Sequence, residues 1–226
     1  MGETNANTLT AFAAGVAPGD LRGDRLARLS EAERELYRWI LRTFAQGQRP
    51  EVDELVATAS RLDLDVEPAM ATLAREDLVH QDPRSGEIVV AYPFSGRPTP
   101  HRVRFPEGRE VDAMCAVDAL GLPFMLGEQA EIISRDPLTG EEVWVRIDPG
   151  DGVWWEPQPA VVLAEAIGAS GPSVATCCSF INFFASAESA SRYLREHAAL
   201  RGETLSITAA VEAGRLIFGD LLRPAP

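Results

Sequence analysis

Cys115 and Asp118 stand three residues apart in Val111-Asp112-Ala113-Met114-Cys115-Ala116-Val117-Asp118-Ala119-Leu120-Gly121. On a helix, that spacing puts both side chains on one face, within reach of one small ligand. Asp112 is placed to act as N-cap. That sets Cys115 in the first turn, where unpaired N–H groups and the helix dipole favour a thiolate over a thiol. Gly121-Leu122-Pro123 is the expected stop. Such a segment offers a soft, pre-ionised nucleophile with a proton carrier one turn away. Two more cysteines, Cys177 and Cys178, sit side by side far down the chain. The chemistry open to the chain depends on one of them folding back against Cys115.

Thiolates choose soft, thiophilic metals over calcium or magnesium. Two thiolates and a carboxyl group without histidine make a poor zinc site, because zinc usually takes four ligands. His80, His101 and His197 lie far apart and show no ligand spacing. A two-coordinate metal such as mercury needs only the two sulfurs. Two thiolates on an organomercury push electron density onto the carbon and prime the Hg–C bond for protonation there. An adjacent acid must deliver the proton, and Asp118 is placed to do so. An ordinary aspartate, with a pKa of about 3.9, is ionised at neutral pH. It must therefore collect a proton from an incoming thiol or be kept protonated by burial. The plainer alternatives are a cysteine that is a small inert hydrophobe and an aspartate that faces solvent. If Cys177 and Cys178 lie on a strand they point to opposite faces, and at most one of them meets Cys115.

The elements that must hold these residues are legible in outline. Residues 1–29 show no clear period and read as a flexible arm. Ser30-Glu31-Ala32-Glu33 is a capping box. It opens a helix with Leu36, Trp39, Ile40 and Phe44 at helical spacing, ended by Gly47. A second helix runs from Pro50 to about Leu62 with Leu55, Val56 and Ala59 inward. A third, capped by Asp65, covers Glu67 to Asp77 with Met70 and Leu73 inward. Two short strands, at His80-Gln81 and from Gly86 to Tyr92, then flank a turn. Three helices and a hairpin make a winged-helix-like domain over residues 30–94.

Ser95-Gly96-Arg97-Pro98-Thr99-Pro100 reads as the boundary. Beyond it, residues 95–226 read as an α+β domain: a small mixed sheet with flanking helices. Strands are expected at His101–Phe105, Ala130–Arg135, Glu141–Ile147, Val153–Trp155 and Ala160–Leu163. Val174–Phe184, which holds both late cysteines, reads as a buried strand. Ser186 caps a helix to about Leu200, and Leu205–Leu222 is helical or a strand followed by a helix. Arg102, Arg104 and Trp154 are candidates to line a pocket.

Composition narrows the function further. The net charge is −13, and all 21 basic residues are arginine. Without lysine there is no Schiff-base chemistry and no P-loop lysine. The acidic balance argues against nucleic acid and anionic membranes. Residues 31–92 carry 13 acids against 7 arginines, so the winged-helix-like part lacks the basic face that groove reading needs. No apolar run is long enough for a membrane span, and the start has no secretory pattern. An odd count of three cysteines, two of them adjacent, fits free thiols in a reducing cytoplasm better than a disulfide framework.

Ala113-Met114-Cys115-Ala116-Val117-Asp118-Ala119-Leu120 resembles the Cys-Ala-x-Asp motif of the organomercurial (alkylmercury) lyases. Cys178-Ser179-Phe180-Ile181-Asn182-Phe183-Phe184-Ala185-Ser186 resembles the second cysteine motif of that family, a cysteine followed by Phe-Phe-Ala-Ser. The likeness covers roughly residues 30 to 222. It implies that Cys115 and Cys178 are the thiols that hold mercury and Asp118 the proton shuttle. It also implies carbon–mercury protonolysis that releases a hydrocarbon and leaves Hg(II) as bound product, with no cofactor. Small cytosolic thiols or a mercuric reductase would take the ion. The chain departs from the family after Cys178, where Ser179, Phe180 and Asn182 stand in place of histidines. That departure motivates an alternative, a divergent member binding a soft metal or acting on another thiophilic substrate. A metal-sensing winged-helix regulator is a third reading.

Overall fold

The computed structural model describes residues 23–165 and 178–222. Cys177 and all but the last seven residues of the expected N-terminal arm lie outside these. Those last residues are not extended: Gly23–Ala27 forms a short helix, α1, and Leu29 is buried. Arg34 donates to the carbonyls of Leu26 and Leu29, and Arg25 donates to the Asp77 carboxylate at 3.1 Å, which ties α1 to the body.

The capping box opens α2, Glu31–Ala45. Ser30 Oγ accepts from the Glu33 N–H, and the Ser30 N–H donates to the Glu33 carboxylate. Leu36, Tyr37, Ile40, Leu41 and Phe44 form its buried stripe. Helices α3 (Val52–Arg61) and α4 (Val66–Arg75) follow, with Leu55, Ala59, Met70 and Leu73 buried. Val56, expected inward, is 43% exposed, because the face set by Leu55 and Ala59 turns it outward.

Strands β1 (Val79–Gln81) and β2 (Ile88–Ala91) form the expected hairpin. It does not stand apart. β3 (Phe94–Ser95) pairs with β2 on one side and with β5 (Glu110–Ala113) on the other. The sheet continues through β4 (Arg102–Arg104), β6 (Ala130–Arg135), β7 (Glu142–Asp148) and β8 (Gly152–Glu156). Its order is β1-β2-β3-β5-β4-β6-β7-β8, and every pairing is antiparallel. The α+β class holds, but the sheet is neither small nor mixed. Short hairpin connections allow antiparallel neighbours, whereas parallel ones would need long crossovers. In β7, Val143, Val145 and Ile147 are buried while Glu142, Trp144 and Arg146 are exposed, the alternation of a sheet with one wet face. A second, three-stranded antiparallel sheet has the order β10-β9-β11, from Val161–Glu165 (β9), Asn182–Phe184 (β10) and Gly202–Ser206 (β11).

Three further helices complete the described residues: α5 (Ala116–Leu126), α6 (Ala187–Glu196) and α7 (Ile207–Phe218). α5 is apolar on every side and buried, as a helix inside a core must be. It lies against α7 at a contact between glycines. A Cβ on Gly214 would fall 2.8 Å from the Gly121 nitrogen and 2.9 Å from the Val117 carbonyl. Gly121-Leu122-Pro123 does not end α5. Packing on all sides carries the helix past Pro123 to Gly127, whose φ of 67° makes it the left-handed cap. No described helix is long and apolar enough to cross a membrane.

Candidate active site

Asp112 belongs to β5 and is not a helix cap; its carboxylate accepts from the Thr99 N–H at 3.1 Å. The strand ends at Ala113, and Cys115 itself is the N-cap of α5, with φ −151° and ψ 177°. Its sulfur accepts the N–H of Asp118 at 3.4 Å. A sulfur at this position takes the place usually held by a serine or aspartate oxygen. The one-turn spacing then sets the Asp118 side chain beside it.

The second cysteine arrives from the other sheet. Cys178 opens a helical turn over residues 178–180 instead of lying on a strand, and the strand proper starts at Asn182. Two bonds hold the turn in place. The Ala116 N–H at the start of α5 donates to the Ile181 carbonyl at 3.0 Å, and Asn182 Nδ2 donates to the Ser179 carbonyl. The helix start that carries Cys115 is thereby fastened to the segment that carries Cys178.

The result is a cluster of the Cys115 sulfur, the Cys178 sulfur and an Asp118 carboxylate oxygen, all within 4.8 Å of one another. All three residues are buried, at 3%, 7% and 5% exposure. The three residues singled out in the sequence are thus brought together, one from the Cys115 loop, one from the first turn of α5 and one from the turn before β10.

Burial overturns the expectation of a pre-ionised Cys115. Removal from water pushes its thiol up to about 11, against a lowering hydrogen bond with Cys178; the charge of Asp118 raises it further. The helix N-terminus does not compensate. At neutral pH Cys115 is therefore a thiol.

Among the described residues, the other pocket candidates are engaged elsewhere. Arg102 and Arg104 pair with Glu110, at 3.6 and 2.8 Å. Trp154 is 45% exposed, lies under the Arg146 guanidinium and lines a surface groove with Trp144 and Trp155. Two residues near the site carried no sequence signal. Tyr92 reads as a strand end, but it is 4% exposed and its hydroxyl lies beside Cys178. His101 is 2% exposed, with Nδ1 3.0 Å from Ser134 Oγ. Burial pulls its imidazole down to about 4, against a hydrogen bond with Asn182, so it is neutral at pH 7.

A family model described as MerB, alkylmercury lyase, matches residues 94–219. An alkylmercury lyase of Staphylococcus epidermidis is 29% identical over 180 residues, covering 80% of each chain. One from Bacillus cereus is 27% identical over 187 residues, 83% of this chain and 82% of that one. One from Pseudomonas putida is 29% identical over 192 residues, 83% and 84% of the two chains. Among solved structures, the mercury-bound form of MerB2 shares the fold with a TM-score of 0.74 and 23% identity. It is matched over 99% of its length and 96% of this chain.

Proposed function

This chain belongs to the alkylmercury lyase family, and from that premise we propose that it cleaves carbon–mercury bonds by protonolysis, with Cys115, Cys178 and Asp118 as the working groups. The observation that carries the assignment of roles is the buried cluster of two sulfurs and one carboxylate oxygen within 4.8 Å. A two-coordinate thiophilic ion needs the two sulfurs, and the carbon leaving it needs a proton from the third group.

The steps balance. An organomercury arrives as R–Hg–SR′, bound to a small thiol. Cys115 forms an S–Hg bond and its proton leaves with R′S as R′SH. Cys178 then passes its proton to the Asp118 carboxylate and forms the second S–Hg bond. Electron density moves onto R, the Hg–C bond breaks, and the Asp118 carboxyl hands its proton to the carbon. The products are R–H and Hg(II) held by two thiolates, with Asp118 ionised again. Because Cys115 starts as a thiol, the thiophilicity of the incoming mercury supplies the drive for its ionisation. Exclusion of water keeps the proton on Asp118 until the carbon takes it.

Two small thiols, or the thiols of a mercuric reductase, then exchange onto Hg(II) and return both cysteines to the protonated state. A reducing, cytoplasmic setting suits chemistry that needs both thiols free. No cofactor enters the scheme. We read α2–α4 with the β1–β2 hairpin as a winged-helix-like scaffold that does not read DNA, supported by its acidic balance.

The test gives purified, reduced protein phenylmercury with excess thiol and measures benzene by gas chromatography. Catalytic benzene release is the expected result. A folded protein with reduced cysteines that releases none would overturn the assignment.

A further inference from the structure

The Tyr92 hydroxyl is buried and has no hydrogen-bond partner among the described residues. That is costly, since a buried hydroxyl left without a partner loses its hydration for nothing. Its backbone is firmly placed: the Tyr92 carbonyl accepts from the Tyr37 hydroxyl at 2.7 Å, and the Tyr92 N–H donates to the Leu78 carbonyl at 3.1 Å. The ring meets His80 edge-on, with centroids 6.3 Å apart. The hydroxyl lies beside the Cys178 sulfur. Burial, then the negative charges of Cys178, Asp77 and Asp118, push its pKa upward, so it keeps its proton and is available as a donor.

We propose that Tyr92 is a positioning residue for Cys178: its hydroxyl donates a hydrogen bond to the Cys178 sulfur when that sulfur becomes a thiolate. This rests on the lyase reading above. In the scheme, Cys178 must ionise inside a buried site before the second S–Hg bond can form. The proton goes to Asp118, and the charge left on the buried sulfur is stabilised by a donor beside it. Tyr92 supplies it and transfers no proton. The donor sits beside the sulfur from the start and strengthens when charge appears there, which is the condition under which an interaction speeds a step more than it tightens substrate binding. Capture of the organomercury by Cys115 precedes this step and does not involve Tyr92.

Tyr92→Phe keeps the ring and removes the donor. The expected result with phenylmercury is a kcat lower by about tenfold, the size of one hydrogen bond to a charged acceptor, with KM held within about twofold. Unchanged kcat overturns the proposal, and so does an equal loss that appears only in KM. Should the variant fail to fold, the wild-type chain decides. It has three tyrosines, so 3-fluorotyrosine labelling gives three fluorine resonances, assigned with Tyr37→Phe and Tyr193→Phe. Cys178→Ser and one equivalent of methylmercury should each move the Tyr92 resonance. A Tyr92 resonance indifferent to both ends the proposal. This measurement needs no turnover, so a protein that released no hydrocarbon would lose the lyase reading while the Tyr92–Cys178 contact was still read independently.

Discussion

Asp118 is the only charged side chain on α5, and it is buried beside two sulfurs. A carboxylate set within reach of two sulfurs is placed to exchange a proton with them. Asp118→Asn retains the shape and removes the exchange. Mercury capture needs the sulfurs alone, so the variant should still bind one Hg(II) by intact mass spectrometry. Its hydrocarbon release should fall by at least about 100-fold, the usual contribution of a positioned acid. A variant with near-normal release would assign the proton to another group. Cys115 shows how burial outweighs local electrostatics. The helix N-terminus favours the thiolate by up to about 2 kcal/mol, whereas complete desolvation of a charge costs more than that. Its pKa of about 11 records the balance.

At the scale of elements, the site depends on how deeply α5 is set into the molecule. α5 approaches α7 where Gly121 faces Gly214, backbone against backbone. Alanine at Gly214 would favour the helix by about 1 kcal/mol on intrinsic propensity. Its Cβ would also meet three backbone atoms of α5 at 2.8–3.0 Å, and backbone cannot step aside as a flexible side chain can. The clash wins, because overpacking typically costs about 1–3 kcal/mol and moves whole elements. Gly214→Ala should therefore lower the melting temperature by several degrees in a thermal scan. It should also reduce hydrocarbon release, because the helix that shifts carries Cys115 and Asp118. Full stability in the variant would mean that the two helices yield more easily than their contact suggests.

For the whole molecule, one sheet and one apolar core run through the expected boundary near residue 95. β3 pairs with strands on both sides of that point, and Tyr92 reaches the site from the N-terminal side. Unfolding should therefore be a single calorimetric transition and not two. His101 sets its acid limb. It links the segment before β4 to Ser134 on β6 and to Asn182 on β10, and it is held neutral. Its folded value of about 4 lies below the unfolded 6.5, so the unfolded chain binds the extra proton between these values. Stability is complete above pH 6.5 and is lost as the pH falls toward 4, by about 3 kcal/mol if the group acts alone. Melting temperatures measured from pH 7 to pH 4 should show this slope, and His101→Gln should flatten it. Two separate transitions, or an acid limb unmoved by the variant, would contradict this account.

The residue types and their spacing determined much on their own. The capping box at Ser30, the stripe of Leu36, Ile40 and Phe44, and the alternation of β7 are local periodicities that any chain context preserves. Cys115 and Asp118 are one helical turn apart by sequence alone. What the sequence left open were the quantities set by neighbours remote in the chain. Whether Pro123 ends α5 depended on packing around it, and whether Cys115 is ionised depended on its burial. The strand pairings beyond the local hairpins, and the place of Tyr92 beside Cys178, had no local signature. The meeting of Cys115 with Cys178 rests on the Ala116–Ile181 hydrogen bond between segments some sixty residues apart. Spacing along a chain fixes only contacts within one element, whereas the distance between two sulfurs on different elements is decided by how those elements pack.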